Sequence, residues 1–412
     1  MRVLMFGWEF PPYLTGGLAT ATVGLVKGLL RRGVEVTLVV PFPVEGSSLA
    51  GLRLVSAAGY RERLTTIRVA SPVAPYEGEE EYVGRLRNVV GGPGGGAAYG
   101  RNLFAEVERL AAVAGEIAAT EPHDVIAAHD WITFAAGLAA RARSGAPLVV
   151  HLHATEFDRS GEGANGMIAH REWLGLQGAD RVISNSETLR RQVMERYRIP
   201  GNKITAIHWG IDDEYDAWRA GPANPFPAEE PVVLFLGRVT RQKGPEYFVE
   251  AARRVLEHVP DARFVVAGTG DLLPMVIERS AWLGLADRLH FAGPLQGAEV
   301  DRAFRLARLC VMTSVSEPFG LVALESLRAG TPCIVPRDSG AAEALRHALR
   351  VDFWDIDQLT NQIVAVLRHA ALHAELQERG RAEVAGPRFT LDEPARLTEA
   401  VYRRAIRQTE VH

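Results

Sequence analysis

Short apolar runs rich in β-branched residues alternate along this chain with longer amphipathic segments. Apolar runs bounded by turn residues are typical of strands buried on both faces, as in parallel sheets covered by helices. Between them, helical spacing predicts helices, such as Leu18–Arg32, which ends at Gly33. The pattern therefore predicts an α/β protein. Its strands are predicted at Arg2–Phe6, Glu35–Val40, Asp124–Ala128, Pro147–His151, Arg181–Ser184, Val232–Leu236, Arg263–Ala267, Leu289–Ala292, Leu309–Thr313 and Pro332–Val335.

This alternation is interrupted once, and the interruption predicts two domains. Residues Asp213–Pro231 contain acidic side chains, Gly221 and four prolines, without periodicity, so we predict a linker there. We expect Rossmann-like, doubly wound parallel sheets over residues 1–212 and 232–390, with the helix of residues 391–412 packing back on the first domain. Ligands of such sheets bind beyond the carboxyl ends of the strands. The two domains are therefore expected to face each other across a cleft that holds the site.

Composition and charge exclude several classes of protein. The 412 residues carry 46 Lys and Arg against 50 Asp and Glu, a net charge of -4, so a nucleic-acid partner is not expected. No uncharged apolar stretch reaches the roughly 18 residues of a membrane span, and the N-terminal apolar stretch is cut by Glu9 and Pro11. Cys310 and Cys333 lie in apolar runs and are expected to be buried free thiols. These features predict a cytoplasmic protein.

The glycine-rich turn after the first strand contains Gly16 and Gly17 at the start of a helix. Glycines there let backbone N–H groups approach an anion, although an ordinary loop has the same composition. The turn lacks the Gly-x-Gly-x-x-Gly spacing of dinucleotide-binding proteins, and the second strand ends at Pro41 rather than at an acid. A formal match at Gly92–Ala97 follows a charged segment instead of a buried strand. No dinucleotide cofactor is expected.

Two cations follow the first strand of the second domain. Arg238 and Lys243 lie in the loop Gly237–Gly244, at the carboxyl edge of the predicted sheet. Arg binds phosphate oxygens in a bidentate manner, so this pair suits a pyrophosphate. Solvated loop charges are the alternative interpretation.

Paired glutamates occur in the segment Ser316–Glu325. Glu317 lies in the turn after a strand, Gly320 opens a helix, and Glu325 lies on its first turns. Each carboxylate oxygen can accept a hydrogen bond from one of two neighbouring sugar hydroxyls. The helix dipole alone would explain Glu325, but it does not explain Glu317.

Together these segments resemble the retaining, nucleotide-sugar-dependent glycosyltransferases of the GT-B architecture, family 4 (group 1), to which the glycogen synthases are similar. The resemblance spans nearly the whole chain in the right order. Two further segments support the resemblance. One is the histidine loop His153–Arg159, and the other is the triplet His129-Asp130-Trp131, which is similar to an acceptor-facing motif of glycogen and starch synthases. The triplet could equally be a helix N-cap followed by a core tryptophan.

The resemblance implies a role for each matching residue. Arg238 and Lys243 would stabilise the departing nucleoside diphosphate, Glu317 would bind the donor sugar, and His153 would lie beside the hexose. Glu325 would bind the ribose. The implied catalytic residues are His153, Arg238, Lys243 and Glu317; the implied donor-binding residues are Gly16, Gly17, Phe319, Gly320, Leu321, Val322 and Glu325; the implied acceptor-binding residues are Asp130, Trp131 and Glu9.

No metal and no cofactor are expected beside the nucleotide sugar, which would be linked to ADP, UDP or GDP. His151 and His153 share one face of a strand and could form half of a metal site, but the family that the chain resembles needs no metal at this position. Asp355 and Asp357 match an Asp-x-Asp metal motif, yet a helix N-cap explains them better because an apolar run follows.

The expected reaction is transfer of a hexose to an acceptor hydroxyl. Glucose is the leading candidate for the hexose, and an α-glucan chain is one candidate for the acceptor. One departure weakens the glucan assignment, since Thr15 stands where glycogen synthases usually have Lys. A small metabolite, a sugar phosphate or a lipid-linked glycan is the alternative acceptor, and the basic residues Lys27, Arg31 and Arg32 could touch anionic lipid. A nucleotide-sugar epimerase and a non-catalytic sugar-binding protein are the alternative classes.

Overall fold

The first sheet of the protein is built from seven parallel strands. The computed structural model describes residues 1–8, 10, 17–41, 51–57, 103–212 and 230–409. The strands of this sheet lie in the order β3-β2-β1-β4-β5-β6-β7. Their bounds are β1 Arg2–Phe6, β2 Glu35–Val40, β3 Leu52–Ser56, β4 Val125–His129, β5 Leu148–Leu152, β6 Arg181–Ser184 and β7 Ile204–Ala206.

A second sheet of six parallel strands follows, in the order β10-β9-β8-β11-β12-β13. It repeats the strand order of the first six strands of the first sheet, which is that of the doubly wound Rossmann fold. The predicted fold class is thereby confirmed. The strands are β8 Val232–Leu236, β9 Arg263–Ala267, β10 Leu289–Gly293, β11 Leu309–Val311, β12 Cys333–Pro336 and β13 Leu349–Val351.

Helices cover the sheets and connect successive strands, as right-handed crossovers of parallel strands require. In the described part of the chain they are α1 Gly17–Arg31, α2 Leu103–Thr120, α3 Trp131–Ser144, α4 Glu156–Ser160, α5 Gly166–Gly178, α6 Glu187–Arg196, α7 Pro245–His258, α8 Leu273–Trp282, α9 Ala298–Leu306, α10 Leu321–Arg328, α11 Gly340–Ala344, α12 Ile356–Arg368, α13 Ala370–Val384 and α14 Asp392–Thr409.

The C-terminal helix α14 packs against α1 and the strands β4, β5 and β6 of the first sheet. The approach to α1 is close at Gly28, where a Cβ atom would lie 2.5 Å from the carbonyl oxygen of Leu391. Deeper in the interface, Tyr402 is fully buried. The first domain therefore receives part of its core from the far end of the chain.

The basic residues of α1 are paired with acidic residues. Lys27 Nζ lies 2.5 Å from a carboxylate oxygen of Asp212, which also lies 3.4 Å from Arg31. Arg32 Nε lies 2.7 Å from Glu399 on α14. These ion pairs join α1 to the end of the first domain and to α14, so their charges are largely neutralised within the protein.

Cys310 and Cys333 are both buried free thiols, as predicted, and they face each other in register on β11 and β12. Burial raises the pKa of Cys310 to about 12, so this thiol stays protonated. In the part of the chain that the structure describes, no helix combines the length and the apolar composition needed to cross a lipid bilayer.

Candidate active site

The strand order defines two places where ligands can bind. In each sheet, strands are first added on one side of the first strand and then on its other side. This switch lies between β1 and β4 in the first sheet and between β8 and β11 in the second. Loops that leave neighbouring strands in opposite directions open a crevice at such a switch point. The segments after β4, β5, β8 and β11 contain most of the residues singled out in the sequence.

In the second domain, the loops after β8 and β11 are joined by hydrogen bonds. The Thr313 hydroxyl donates to the Gly244 carbonyl oxygen at 2.7 Å, and the Val315 amide donates to the Gln242 carbonyl oxygen at 2.9 Å. This backbone arrangement brings Lys243 against Glu317, with Nζ 2.6 Å from Oε2. The predicted cation and the predicted carboxylate are thus in direct contact.

Glu317 is buried and its carboxylate is shared. The same Oε2 atom accepts a hydrogen bond of 2.8 Å from the hydroxyl of Ser314. The Glu317 carbonyl also accepts from the amide of Gly340, which ties the loop to α11. A buried carboxylate needs such partners because desolvation alone would penalise its charge.

Arg238 lies at the other end of the loop Gly237–Gly244 that contains Lys243. Its Nη2 donates to Oε1 of Gln242 at 3.0 Å. Since Gln242 also binds the loop after β11, Arg238 and Lys243 are attached to the same framework. Both positive charges therefore lie at the carboxyl edge of the second sheet.

The helix α10 begins directly after the Glu317 loop. Gly320 has a φ of 100°, a left-handed conformation that favours glycine, and it allows Leu321 and Val322 to start the helix. Phe319 is buried, and its ring stacks on His208 of the first domain with the centroids 5.7 Å apart. The unpaired N–H groups of the helix start thus lie beside Glu317.

Glu325 lies one turn further along α10 and is partly buried. Burial raises the pKa of its carboxyl to about 7, opposed by the charge of Arg328 and supported by that of Asp301. Glu325 therefore exchanges a proton near neutral pH. It does not pair with the Lys243–Glu317 unit.

In the first domain, His153 is held by its backbone and its ring. Its amide donates to Asp130 Oδ1 at 2.7 Å, its carbonyl accepts from Asn185 at 2.8 Å, and its ring stacks on Trp209. Burial lowers the pKa of His153 to about 3, so the imidazole is neutral at physiological pH.

Asp130 and Trp131 lie below the protein surface, with exposed fractions of 0% and 3%. Asp130 has a φ of 58°, which is costly for a residue with a Cβ. Although Asp130 precedes α3, its side chain does not cap that helix and instead supports His153. An acceptor contact by these two side chains stays a prediction.

A polar contact connects the two halves of the cleft, and sequence reasoning missed it. The Ser316 hydroxyl donates to Asp158 Oδ1 at 2.6 Å, and the other oxygen of Asp158 accepts from the amide and hydroxyl of Thr155. Ser316 precedes Glu317, and Thr155 follows His153 by two residues. The histidine loop and the glutamate loop are therefore linked by one carboxylate.

A second missed contact lies beside Phe319. Glu343 on α11 accepts hydrogen bonds from the amides of Glu187 and Thr188 at the start of α6, and from His208 Nε2 at 2.5 Å. Burial opposes the ionisation of Glu343, but these hydrogen bonds outweigh it and lower the pKa to about 2. Pairings of this kind depend on the domain arrangement, which leaves no local signal in the sequence.

Two of the predicted site residues, Gly16 and Glu9, lie outside the described residues, as does most of the predicted linker. Gly17 is the first residue of α1. Asp355 caps α12 by accepting a hydrogen bond of 3.0 Å from the Gln358 amide, as its N-cap interpretation predicted. Within the described ranges, no three His, Cys, Asp or Glu side chains converge in a way that could bind a metal ion.

Comparison with known proteins identifies the family. Residues 15–215 match glycosyltransferase family 4, and residues 216–383 match the glycosyl transferases group 1 family. The chain belongs to the glycosyltransferases of family 4 (group 1), which have the GT-B architecture. The predicted resemblance is thereby confirmed.

Curated relatives of this glycosyltransferase differ in their named activities. An uncharacterized glycosyltransferase of Methanocaldococcus jannaschii is 29% identical over 84% of this chain and 83% of its own. A D-inositol 3-phosphate glycosyltransferase of Mycobacterium marinum is 31% identical over 78% of this chain and 72% of its own. A glycogen synthase of Mycobacterium tuberculosis is 26% identical over 84% and 80%, respectively.

Solved structures share the fold. The sucrose-phosphate synthase of Thermosynechococcus elongatus superimposes with a TM-score of 0.75 at 19% identity, covering 98% of both chains. An Anabaena protein solved with UDP-glucose gives a TM-score of 0.66 at 17% identity, covering 97% of this chain and all of that chain. At these identities the likeness extends to the architecture of the glycosyltransferase.

Proposed function

We propose that this protein is a retaining glycosyltransferase that transfers a hexose from a nucleoside diphosphate to an acceptor hydroxyl. Glucose is the leading candidate for this hexose. The observation that supports this most is the contact of Lys243 with Glu317 at the carboxyl edge of the second sheet. Arg238 lies on the same loop, and His153 lies on the other side of the interdomain contact. This arrangement offers separate groups to the phosphates and to the sugar.

The cations would act on the leaving group. Cleavage of the anomeric bond places negative charge on the diphosphate, and preorganised cations and helix N–H groups stabilise such charge most effectively. In the structure, Glu317 binds the ammonium group of Lys243. When a donor binds, Lys243 would turn to the phosphate, and Glu317 with Ser314 would accept hydrogen bonds from the hexose hydroxyls.

His153 would contact the hexose as a neutral group. Because its pKa is about 3, the imidazole is a weak base and does not serve as the main proton acceptor. Glu317 is already occupied with Lys243 and hydroxyl binding. Same-face displacement, in which the departing phosphate helps to deprotonate the acceptor, accounts for retention without a carboxylate nucleophile.

The acceptor has two candidates, each with an observation in its favour. The His129-Asp130-Trp131 triplet and the glycogen synthase relative favour an α-glucan chain. The higher identity to a D-inositol 3-phosphate glycosyltransferase favours a small phosphorylated polyol. ADP-, UDP- and GDP-linked sugars remain equal candidates as donors.

A donor and acceptor panel tests the proposal. The protein is incubated with ADP-, UDP- and GDP-glucose, each alone, with maltooligosaccharide, or with inositol 3-phosphate, and release of nucleoside diphosphate is measured. We expect release that depends on one acceptor, with an α-configured product by proton NMR. Nucleotide release without any acceptor would support an epimerase-like or hydrolytic enzyme, and binding without release would support a non-catalytic protein.

A further inference from the structure

Three histidine rings lie together behind the cleft, and the proposed function uses one of them. His129 ends β4 and pairs in register with His151 on β5. The two rings stack with their centroids 4.4 Å apart and their planes nearly parallel, at 4°. His153 lies 5.3 Å from His129 by the same measure. All three side chains are buried. Hydrogen bonds within such a cluster can determine which ring nitrogen carries a proton.

One hydrogen bond joins His129 to the proposed site. Nδ1 of His129 lies 3.1 Å from Nε2 of His153. Burial keeps both imidazoles neutral, because it lowers the pKa of His129 well below its usual value and that of His153 to about 3. A neutral imidazole carries one N–H. The shared proton therefore belongs either to Nδ1 of His129 or to Nε2 of His153.

The surroundings of the other nitrogen of His129 decide between these states. Nε2 of His129 is buried and has no hydrogen-bond partner in the described part of the structure. If His153 supplied the shared proton, His129 would have to carry its own N–H at this enclosed Nε2. Buried N–H groups without an acceptor are rarer than buried acceptors without a donor. The proton is therefore favoured on Nδ1 of His129.

We propose that His129 is a positioning residue that donates its Nδ1–H to Nε2 of His153 and so fixes the tautomer of His153. His153 then carries its own proton on Nδ1. Nδ1 of His153 has no hydrogen-bond partner among the described residues. Unlike Nε2 of His129, it is not a fully buried atom. His153 accordingly presents an N–H donor, which selects an oxygen lone pair on the ligand, such as that of a sugar hydroxyl.

The flanking rings hold this arrangement in place. Nε2 of His151 lies 2.7 Å from the hydroxyl oxygen of Tyr402 on α14, which anchors the outer ring of the cluster. On the other flank, Trp209 stacks on His153 with the ring centroids 5.1 Å apart. Rotation of the His153 ring would break its bond to His129 and disturb this stack, so the tautomer and the ring orientation are fixed together.

The tautomer can be read directly, without an activity assay. The full chain is labelled with ¹⁵N-histidine, and long-range proton–nitrogen NMR identifies the protonated nitrogen of each ring, with His129→Asn and His151→Phe used for assignment. We expect His153 to carry its proton on Nδ1 and His129 on Nδ1. A proton on Nε2 of His153 would overturn the proposal. The contact of His153 with a hexose rests on the proposed function, whereas this measurement needs no ligand. It therefore tests the tautomer independently of the proposed function.

A matched pair of variants tests the consequence for catalysis. His129→Asn places an amide donor near the position of Nδ1, whereas His129→Leu keeps an apolar side chain and removes the donor. We expect the Leu variant to lose about 10–100-fold in kcat, by analogy with the loss that follows removal of a residue orienting a metal-bound histidine, and the Asn variant to retain most of its activity. In the Leu variant, NMR should show His153 partly protonated on Nε2.

Equal kcat values for these two variants would contradict the positioning role, provided that their melting temperatures match. If the Leu variant does not fold, the NMR measurement on the wild-type protein still decides the tautomer. If the protein transfers no sugar but His153 carries its proton on Nδ1, the proposed function fails while the tautomer assignment stands.

Discussion

At the scale of single residues, the contact between Lys243 and Glu317 holds a cation at the carboxyl edge of the second sheet, where we propose that the diphosphate binds. The lysine is partly exposed, so its ammonium can leave the carboxylate without breaking the fold. The sequence predicted both residues because they lie on loops that leave neighbouring strands. It could not predict that Ser314 donates to Glu317 or that Ser316 donates to Asp158, since serine is common in loops and its contacts depend on tertiary structure.

Removal of the Lys243 charge should affect turnover more than binding. We expect Lys243→Ala to lower kcat by about 100–1000-fold, the usual effect of removing one preorganised donor, with little change in the affinity for the free nucleoside. Steady-state kinetics and nucleoside titration measure the two effects. Lys203→Ala is the matched control, because Lys203 Nζ bonds to the Gln177 carbonyl in the first domain. Near-normal turnover in Lys243→Ala would contradict the leaving-group role.

The titration of Glu325 should couple nucleotide binding to pH. In its predicted role Glu325 would accept hydrogen bonds from the ribose hydroxyls as an ionised carboxylate. Binding would therefore favour the charged form and lower the pKa of Glu325, which is about 7 in the structure. Affinity should therefore rise as the pH increases through 7, by up to about tenfold per unit below it. Calorimetry in buffers of different ionisation enthalpy should detect a released proton near neutral pH.

Two variants sharpen this experiment. Glu325→Gln should remove the proton release and flatten the pH dependence. Asp301→Asn should move the dependence to lower pH, because the charge of Asp301 helps to raise the pKa of Glu325. An unchanged pH profile in Glu325→Gln would show that the ribose is held elsewhere.

At the scale of elements, the central strands were predicted well, and so was the edge strand β10, predicted at Leu289–Ala292 and found at Leu289–Gly293. The other described edge strands, β3, β7 and β13, were missed. Buried strands such as β1 and β8 are continuous apolar runs, which the sequence displays directly. Short strands at or near a sheet edge, such as β3, β7 and β13, alternate buried and partly exposed positions over few residues. Their pairing is determined by the neighbouring strand, so their own sequences contain little information about it.

The junction between the glutamate loop and α10 depends on the backbone conformation of Gly320. In Gly320→Ala the new Cβ would lie 3.0 Å from Met312 Cε and 3.2 Å from Glu317 Cγ. Gly330→Ala is a matched control, since its φ of 87° carries the same penalty but its nearest contact, Gln377 Nε2, lies at 3.5 Å.

We expect both substitutions to lower the free energy of unfolding by about 1–2 kcal/mol. Only Gly320→Ala should also lower turnover, because it displaces Glu317. Urea denaturation and steady-state kinetics measure these effects. A similar loss of turnover in both variants would mean that general destabilisation is responsible.

At the scale of the whole molecule, carboxylates on both sides of the cleft hold the domains together. Asp158 binds Ser316, and Glu343 binds the start of α6. We expect Ser316→Ala combined with Glu343→Ala to increase the radius of gyration of the empty protein and to enlarge its decrease on nucleotide binding. Small-angle scattering measures both quantities.

Glu383→Ala is the control for this experiment, because Glu383 accepts from the amides of Arg346 and His347 within the second domain. Its scattering should match that of the wild-type protein. An unchanged radius in the double variant, with or without nucleotide, would contradict a role of these contacts in closure.

The return of α14 to the first domain has a mechanical consequence. The polypeptide passes between the domains twice, once after residue 212 and once before Asp392, where α14 begins. Two covalent connections restrict the relative rotation of two domains more than one connection does. Any closure of the cleft on a bound nucleotide sugar would therefore have to be accommodated at both connections.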